Sequence, residues 1–159
     1  MKSAALRRSL CTAVRPSVVA RAVSVPAADV HPPFARYAHA TVVPAESELI
    51  FTSGQLGILP DGSIPSTAEE QATVALGNVA SILKSAGAGV EHIVRLNSYV
   101  TGREHLAGYM RARDAIFGET PPTASTLMIV GGFARPEFVV EVIATERPAT
   151  LSLIAAECQ

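Results

Sequence analysis

The chain has 159 residues, the length of one ordinary domain, and its 48% hydrophobic and 17% charged residues exclude a disordered chain. No apolar run reaches the roughly 18 residues that a membrane-spanning helix needs, and a formal net charge of −1 argues against a surface built to bind phosphate. The two cysteines, Cys11 and Cys158, lie near opposite ends, outside every periodic segment. They indicate neither a disulfide framework nor a zinc site.

Residues 1–28 carry five basic residues and no acidic one, which leaves eight basic against 14 acidic residues, a net charge of −6, for residues 29–159. Arg, Ser, Ala and Val dominate this segment, and its charges interrupt the apolar stretch that a secretory signal requires. The composition is typical of a transit peptide and predicts import into a mitochondrion, with a plastid as the alternative. A plain basic tail, and hence a cytoplasmic protein, is the other interpretation. In both cases we expect the segment to stay outside the fold.

Two short strands are predicted ahead of the first helix. Residues 36–43 alternate loosely and end at Pro44, and residues 48–53 form a second candidate, so the turn between them predicts a hairpin. Pro60-Asp61-Gly62 predicts a further turn, because proline fixes φ and glycine accepts a positive φ.

Residues 67–86 show the clearest helical pattern. One apolar stripe recurs at helical spacing, through Ala72, Ala75, Leu76, Val79, Ile82, Leu83 and Ala86. Thr67 and Glu70 have the spacing of a capping box at its start, and Gly87 is placed to end it.

A second helix is predicted after residue 101. Thr101 and Glu104 have the spacing of another capping box, and the helical pattern ends at Gly118 and Pro121-Pro122. Residues 92–101, 124–130 and 137–145 are predicted strands. We leave the tail, residues 148–159, unassigned.

The resulting order, β-β-α-β-α-β-β, predicts an α+β fold in which two helices cover one face of a mixed sheet. We expect the other face to carry apolar groups that two helices cannot cover, and such a face predicts self-association. These groups are Val94, Leu96, Val100, Leu127, Ile129, Val140 and Val142.

Segments in five places resemble motifs of the RidA/YjgF family, also called the L-PSP endoribonuclease-like family, in the family's order. They are Leu49–Gln55 for the SGQ segment, Gln71 and Asn78-Val79 through Gly87 for the first helix, His92–Leu96 for "DIVK", Pro122–Ser125 for "PARS" and Arg135–Val142 for "RPELLVEIE". The resemblance covers residues 34–147, which is most of the chain after the basic segment. It implies a chorismate-mutase-like fold and a homotrimer, with the sheets packed into a central barrel and ligand clefts between subunits.

The resemblance also implies an activity, the hydrolysis of reactive enamine or imine intermediates to a 2-oxo acid and ammonia. The substrate is a small molecule, and neither a cofactor nor a metal is implied. Glu141 matches the glutamate that positions or activates water, and both alignments of the last strand put it on the same face. Tyr37 and Gly54 match residues that complete the pocket. From the residues alone, Glu141 could equally be a solvated edge-strand carboxylate, Tyr37 a packing residue and Gly54 a turn or bulge residue.

Ala124 departs from the pattern, because the family has at this place the arginine that clamps the substrate carboxylate. Arg135, in the loop after that strand, is the first candidate to replace it, and Arg95, Arg111 and Arg113 are weaker ones.

The sequence therefore leaves several functions open. A deaminase-type hydrolase is the first hypothesis, a trimer that binds a small metabolite without catalysis is the second, and hydrolysis of a related acyl or aminomuconate-type substrate is a further one. An RNA-acting role is disfavoured by the acidic body and by the lack of a basic-aromatic patch.

Overall fold

The computed structural model describes residues 20–23, 25–33, 35–45, 47–118 and 123–148. Cys11, Cys158, Pro121-Pro122, most of the basic segment and the tail from residue 149 lie outside the described residues. None of the helices in the described part of the chain is long and apolar enough to cross a membrane.

Helix α1, Ala68–Ser85, confirms the capping box and the apolar stripe. Thr67 Oγ1 accepts the Glu70 N–H at 3.2 Å, and the Glu70 carboxylate accepts the Thr67 N–H at 3.3 Å, so each side chain satisfies a backbone donor that the helix leaves unpaired. Gly87, at φ 76°, follows the end of the helix as predicted. Most of the stripe is buried, with Leu76, Val79 and Leu83 at most 1% exposed, but Ile82 is 38% exposed and Ala86 is also exposed.

Helix α2, Leu106–Phe117, ends at Gly118 as predicted but does not begin with the predicted capping box. A 3₁₀ turn, Arg103–His105, precedes the helix, and the extended residue before that turn is Gly102. Thr101 therefore lies outside the first turn, and the Glu104 carboxylate pairs at 3.7 Å with His105 instead. The predicted second capping box is wrong because a local spacing cannot tell a 3₁₀ entry from an α-helical one.

The strands form one mixed sheet and a small separate ribbon. Their bounds are Arg21–Val23 for β1, Ala40–Val42 for β2, Ile50–Phe51 for β3, Gln55–Leu56 for β4, Ile93–Val100 for β5, Ala124–Ile129 for β6 and Val140–Glu146 for β7. The main sheet has the order β3-β7-β5-β6, and β4 also pairs with β7. Strands β5 and β6 are parallel and the other pairs are antiparallel, which confirms the α+β fold with a mixed sheet.

The predicted hairpin between residues 36–43 and 48–53 is wrong. Strand β3 pairs with β7, and Thr52 extends that pairing by donating its N–H to the Ala144 carbonyl at 3.0 Å. Strand β2 pairs with β1 instead, so the basic segment enters the fold at Arg21–Val23, where we expected it to stay outside. Neither β1, the partner of β2, nor β7, the partner of β3, is the next strand along the chain after a short turn. The residues of a local turn therefore do not indicate these pairings.

Both helices lie on one face of the sheet, and that face holds most of the apolar side chains that were predicted to remain uncovered. Leu96, Val100, Val140 and Val142 are at most 1% exposed in the core that the helices share with β5 and β7. For these four residues the prediction is wrong: since the side-chain period of a strand is two, they all point to the helix side. Ile129 of β6 does remain 45% exposed, as predicted.

The other face, called the open face below, is mixed in character. The registers and the alternating burial place on it Phe51, Arg95, Asn97, Tyr99, Ala124, Thr126, Met128, Glu141, Ile143 and Thr145. Phe51 is 70% exposed and Met128 is 46% exposed, so apolar surface remains uncovered on this face, but it comes from residues other than those predicted.

Candidate functional site

Glu141 lies in the middle of the sheet, half-buried on the open face of β7. Its register partners are Leu56 of β4 on one side and Tyr99 of β5 on the other. The structure therefore rules out an edge-strand carboxylate, which was one interpretation of this residue. Because the backbone of Glu141 is paired in both ladders, the side chain leaves the sheet on the open face, and its base cannot turn to the helix side.

Gly54 lies directly against the Glu141 carboxylate. A β-carbon at residue 54 would overlap Glu141 Oε1 and lie 2.7 Å from its Cδ. Among the described glycines a positive φ occurs at residues 62, 87, 118 and 132, and not at Gly54. The absence of a side chain at residue 54 therefore leaves room for the carboxylate in this position, and no turn conformation calls for the glycine. We call this pair the Gly54–Glu141 half.

Tyr37 and Ala124 lie together at the opposite edge of the sheet. The N–H of Ala38 donates to the Thr123 carbonyl at 2.9 Å, and Ala38 forms a parallel bridge with Ala124. The N–H of Ala124 donates in turn to Thr41 Oγ1 at 3.1 Å. These bonds hold the segment with Tyr37 against the outer side of β6, and we call it the Tyr37–Ala124 half.

A cavity of about 620 Å³ opens between α2 and β6 beside this half. Its lining includes Tyr37, Leu106, Tyr109, Met110, Arg113 and Leu127. The Arg113 guanidinium is held by Asp114 at 2.7 Å, and the Tyr109 hydroxyl is bonded to Ser98 Oγ. Burial raises the pKa of Tyr109 above its usual value. The cavity is therefore largely apolar, and these two polar groups already have partners.

One copy of the chain does not bring the two halves together. Glu141 is level with Tyr99 and Ala124 is level with Arg95, and β5 lies between their strands. Four residues along a strand and two strand spacings across the sheet separate them by about 13 Å and about 10 Å. A ligand that touches both halves would thus need a second copy of the chain.

The arginine candidates differ in their contacts. Arg135 donates to Glu137 at 3.2 Å and lies 5.5 Å above the Phe138 ring, so it is engaged within its own loop. Arg111 pairs with Glu69 at 2.7 Å. Arg95 is the one that the register places next to Ala124. This placement leaves no local signal in the sequence, because it depends on the parallel register of β5 and β6.

Within the described residues, no group of three or more His, Cys, Asp or Glu side chains could hold a metal ion.

Comparison with known proteins identifies one family model, described as endoribonuclease L-PSP, which matches residues 29–146. A segment of 85 residues, 51% of this chain, is 32% identical to the Escherichia coli protein named "Putative reactive intermediate deaminase TdcF" and covers 66% of its length. A second relative, "Protein mmf2, mitochondrial" of Schizosaccharomyces pombe, is 28% identical over 50% of this chain and 63% of its own length.

Solved structures show the same fold. YyfB of Yersinia pestis, from the Rid protein family, superposes with a TM-score of 0.68 at 23% identity, over 82% of this chain and 99% of its own. E. coli TdcF with bound serine superposes with a TM-score of 0.56 at 26% identity, over 71% of this chain and 92% of its own.

Proposed function

Because the chain belongs to the endoribonuclease L-PSP family, the RidA/YjgF family of the sequence motifs, we propose that it is a deaminase that hydrolyses reactive enamine or imine intermediates. The products are a 2-oxo acid and ammonia. The Gly54–Glu141 half carries this proposal, because it presents a half-buried carboxylate on the open face, from a strand that is paired on both sides. The name of TdcF, which 51% of the chain resembles, supports the same reaction class.

The main requirement of this reaction is a base that is positioned beside the attacking water. Water adds to the carbon of the C=N bond, nitrogen takes up a proton, and the tetrahedral intermediate expels ammonia as the C=O bond forms. Glu141 is suited to orient the water and to accept its proton during the attack. Since Gly54 has no side chain, the carboxylate stays accessible from the open face, where a small substrate can approach it.

We place the reaction in a cleft between subunits of a homotrimer. The separation of the Gly54–Glu141 half from the Tyr37–Ala124 half supports this placement, because a neighbouring copy would supply the missing half. Exposed Phe51 and Met128 on the open face offer apolar surface for such a contact. The ligand is then a small molecule, as the serine bound to TdcF illustrates for that protein.

A trimer that binds a small metabolite without catalysis is the second candidate. Ala124 favours it, because a methyl group cannot donate a hydrogen bond to the substrate carboxylate. Under this alternative, a 2-oxo acid raises the melting temperature while no imine is hydrolysed. The net charge of −6 on residues 29–159 counts against an RNA-acting role.

For localisation we propose the mitochondrion. The basic, acid-free composition of the segment ahead of β1 supports it, as does the printed name of the relative mmf2. Import of a fusion carrying the first 28 residues, compared with one that lacks them, tests this proposal.

The function is tested by Glu141→Gln, which keeps the shape of the side chain and removes the base. Hydrolysis of 2-iminobutanoate, generated in place by a threonine dehydratase, is followed as ammonia release. We expect the rate to fall by roughly 10²–10⁴-fold, the usual contribution of a general base. Glu48→Gln, at an exposed position, is the matched control and should retain the wild-type rate. Equal rates for both variants would contradict the role of Glu141.

A further inference from the structure

Arg95 spans the two strands at the Tyr37–Ala124 half. It lies on the open face of β5 with its Cα in register with Ala124 of β6. Its Nε donates to Asn97 Oδ1 at 3.1 Å and its Nη2 donates to Thr126 Oγ1 at 3.3 Å. The guanidinium therefore crosses from β5 towards β6, and neighbours on both strands set its orientation.

The charge of Arg95 is not neutralised by an acid. Its two side-chain hydrogen bonds go to uncharged oxygens, and within the described ranges it forms no ion pair. By contrast, Arg111, Arg113 and Arg135 each pair with a carboxylate at 3.2 Å or less. A guanidinium has five N–H donors, and the bonds to Asn97 and Thr126 use two of them, so the others face the solvent side of the sheet.

The residue opposite Arg95 leaves room for an anion. Ala124 presents only a methyl group on the same face, so no side chain there competes for the guanidinium or covers it. The planar fork of an arginine matches the two oxygens of a carboxylate, and hydrogen bonds of this kind are stronger than those between neutral groups. The acid on β7, Glu141, lies about 13 Å further along the strand direction and does not occupy this position.

We propose that Arg95 binds the carboxylate of the substrate, with Asn97 and Thr126 as positioning residues for its guanidinium. The inference rests on the proposed function for the identity of the substrate, a 2-imino acid, but the anion site itself rests on the contacts of Arg95. It assigns the recognition of the carboxylate to the strand next to β6 and leaves Arg135 to its pair with Glu137.

The experiment compares the full-length wild type with Arg95→Gln, Arg95→Lys and Arg111→Gln. Calorimetry measures the binding of 2-oxobutanoate and of its neutral amide, 2-oxobutanamide. We expect Arg95→Gln to weaken binding of the acid by roughly tenfold to a hundredfold, as for a lost charge-assisted hydrogen bond, while binding of the amide is unchanged. Arg95→Lys should keep part of the preference for the acid, and Arg111→Gln should match the wild type.

A rescue variant separates recognition from a structural role. Ala124→Arg, added to Arg95→Gln, returns a guanidinium to the neighbouring strand at the same level, so the preference for the acid should recover. Equal loss of acid and amide binding in Arg95→Gln would overturn the inference. So would a wild type that binds neither ligand, or an Arg135→Gln variant that loses the acid preference instead.

The inference and the proposed function can fail separately. A wild type that binds 2-oxobutanoate through Arg95 but does not hydrolyse 2-iminobutanoate would refute the deaminase and leave the carboxylate site standing. Hydrolysis whose KM is the same in Arg95→Gln and wild type would support the deaminase and refute the role of Arg95.

Discussion

Glu146 is a carboxylate buried at the end of β7 on the helix side of the sheet. It is 0% exposed, and within the described part of the chain no well-formed hydrogen bond reaches either of its oxygens, so that only the nearby Gly89 backbone partly offsets the burial. The nearest cationic candidate, His92 Nδ1, lies 3.7 Å away. Burial, together with repulsion from Glu91, raises the pKa of Glu146 to about 7. The fold therefore holds a proton on this group that the unfolded chain releases at much lower pH.

The raised pKa makes stability depend on pH. Between the unfolded pKa of 4.5 and the folded pKa of about 7, the native state binds more protons than the unfolded state, so the free energy of unfolding falls as pH rises. Glu146→Gln removes this titration and should stabilise the protein at pH 8 by about 3 kcal/mol relative to wild type, with little difference at pH 4.5. Urea unfolding at both pH values measures the change.

The control for this prediction is Glu48→Gln, which removes an exposed carboxylate. Its stability should follow that of the wild type across the same range. A constant difference between Glu146→Gln and wild type from pH 4.5 to pH 8 would show that Glu146 does not titrate in this window.

At the scale of elements, Gln71 joins α1 to the segment that enters β7. Its side chain is 1% exposed. Its amide Nε2 donates to the carbonyls of Pro65 and Glu137, both at 2.8 Å, and its Oε1 accepts the Val139 N–H at 2.9 Å. Val139 is two residues before Glu141, so one helix side chain determines where the strand with the proposed base begins.

Replacing that amide should therefore affect both stability and the site. Gln71→Leu keeps the volume but leaves two carbonyls and one N–H without partners, which should lower the free energy of unfolding by about 3 kcal/mol. Ser81→Ala, at an exposed position of the same helix, is the control and should change it by less than about 0.5 kcal/mol. Denaturant unfolding distinguishes the two variants, and equal midpoints would contradict the role of Gln71.

At the scale of the whole molecule, the proposed trimer depends on the open face. Phe51, 70% exposed, belongs to β3 at one edge of the sheet, and Met128 belongs to β6 at the other. Apolar groups at both edges of one face suit a closed ring, in which each copy presents different edges to its two neighbours. Polar side chains such as Arg95, Asn97 and Glu141 lie between these edges, and they suit a polar ligand.

The trimer is tested by sedimentation at micromolar concentration. The wild type should sediment at three times the 16.6 kDa of one chain, and Phe51→Ser should weaken association by tenfold or more, since a buried phenylalanine contributes about 2 kcal/mol. Ile82→Ser removes an apolar side chain that is 38% exposed on α1 and should leave the trimer intact. A wild type that sediments as a single chain would contradict the proposed cleft.

Features that depend on neighbouring residues could be read from the sequence alone. The capping box at Thr67, the stripe of α1, the turn at Gly62 and the alternation along β5 and β7 all arise from contacts within a few residues or from the period of one element. The predicted order of the elements indicates the α+β fold, and the family resemblance adds the candidates Gly54 and Glu141. The capping box at Thr101 was wrong because a 3₁₀ turn and an α-helix start share the same spacing.

Which strands pair, and in which register, was decided only by the tertiary structure. The pairing of β3 with β7, the contact of Glu141 with Gly54 and the place of Arg95 beside Ala124 each join residues that are distant along the chain. Periodicity reports which side of an element is apolar, but not which element will cover it, so the apolar residues of β5 and β7 were assigned to an uncovered face. The free energy that selects these partners comes from burying whole faces together, and no single segment contains it.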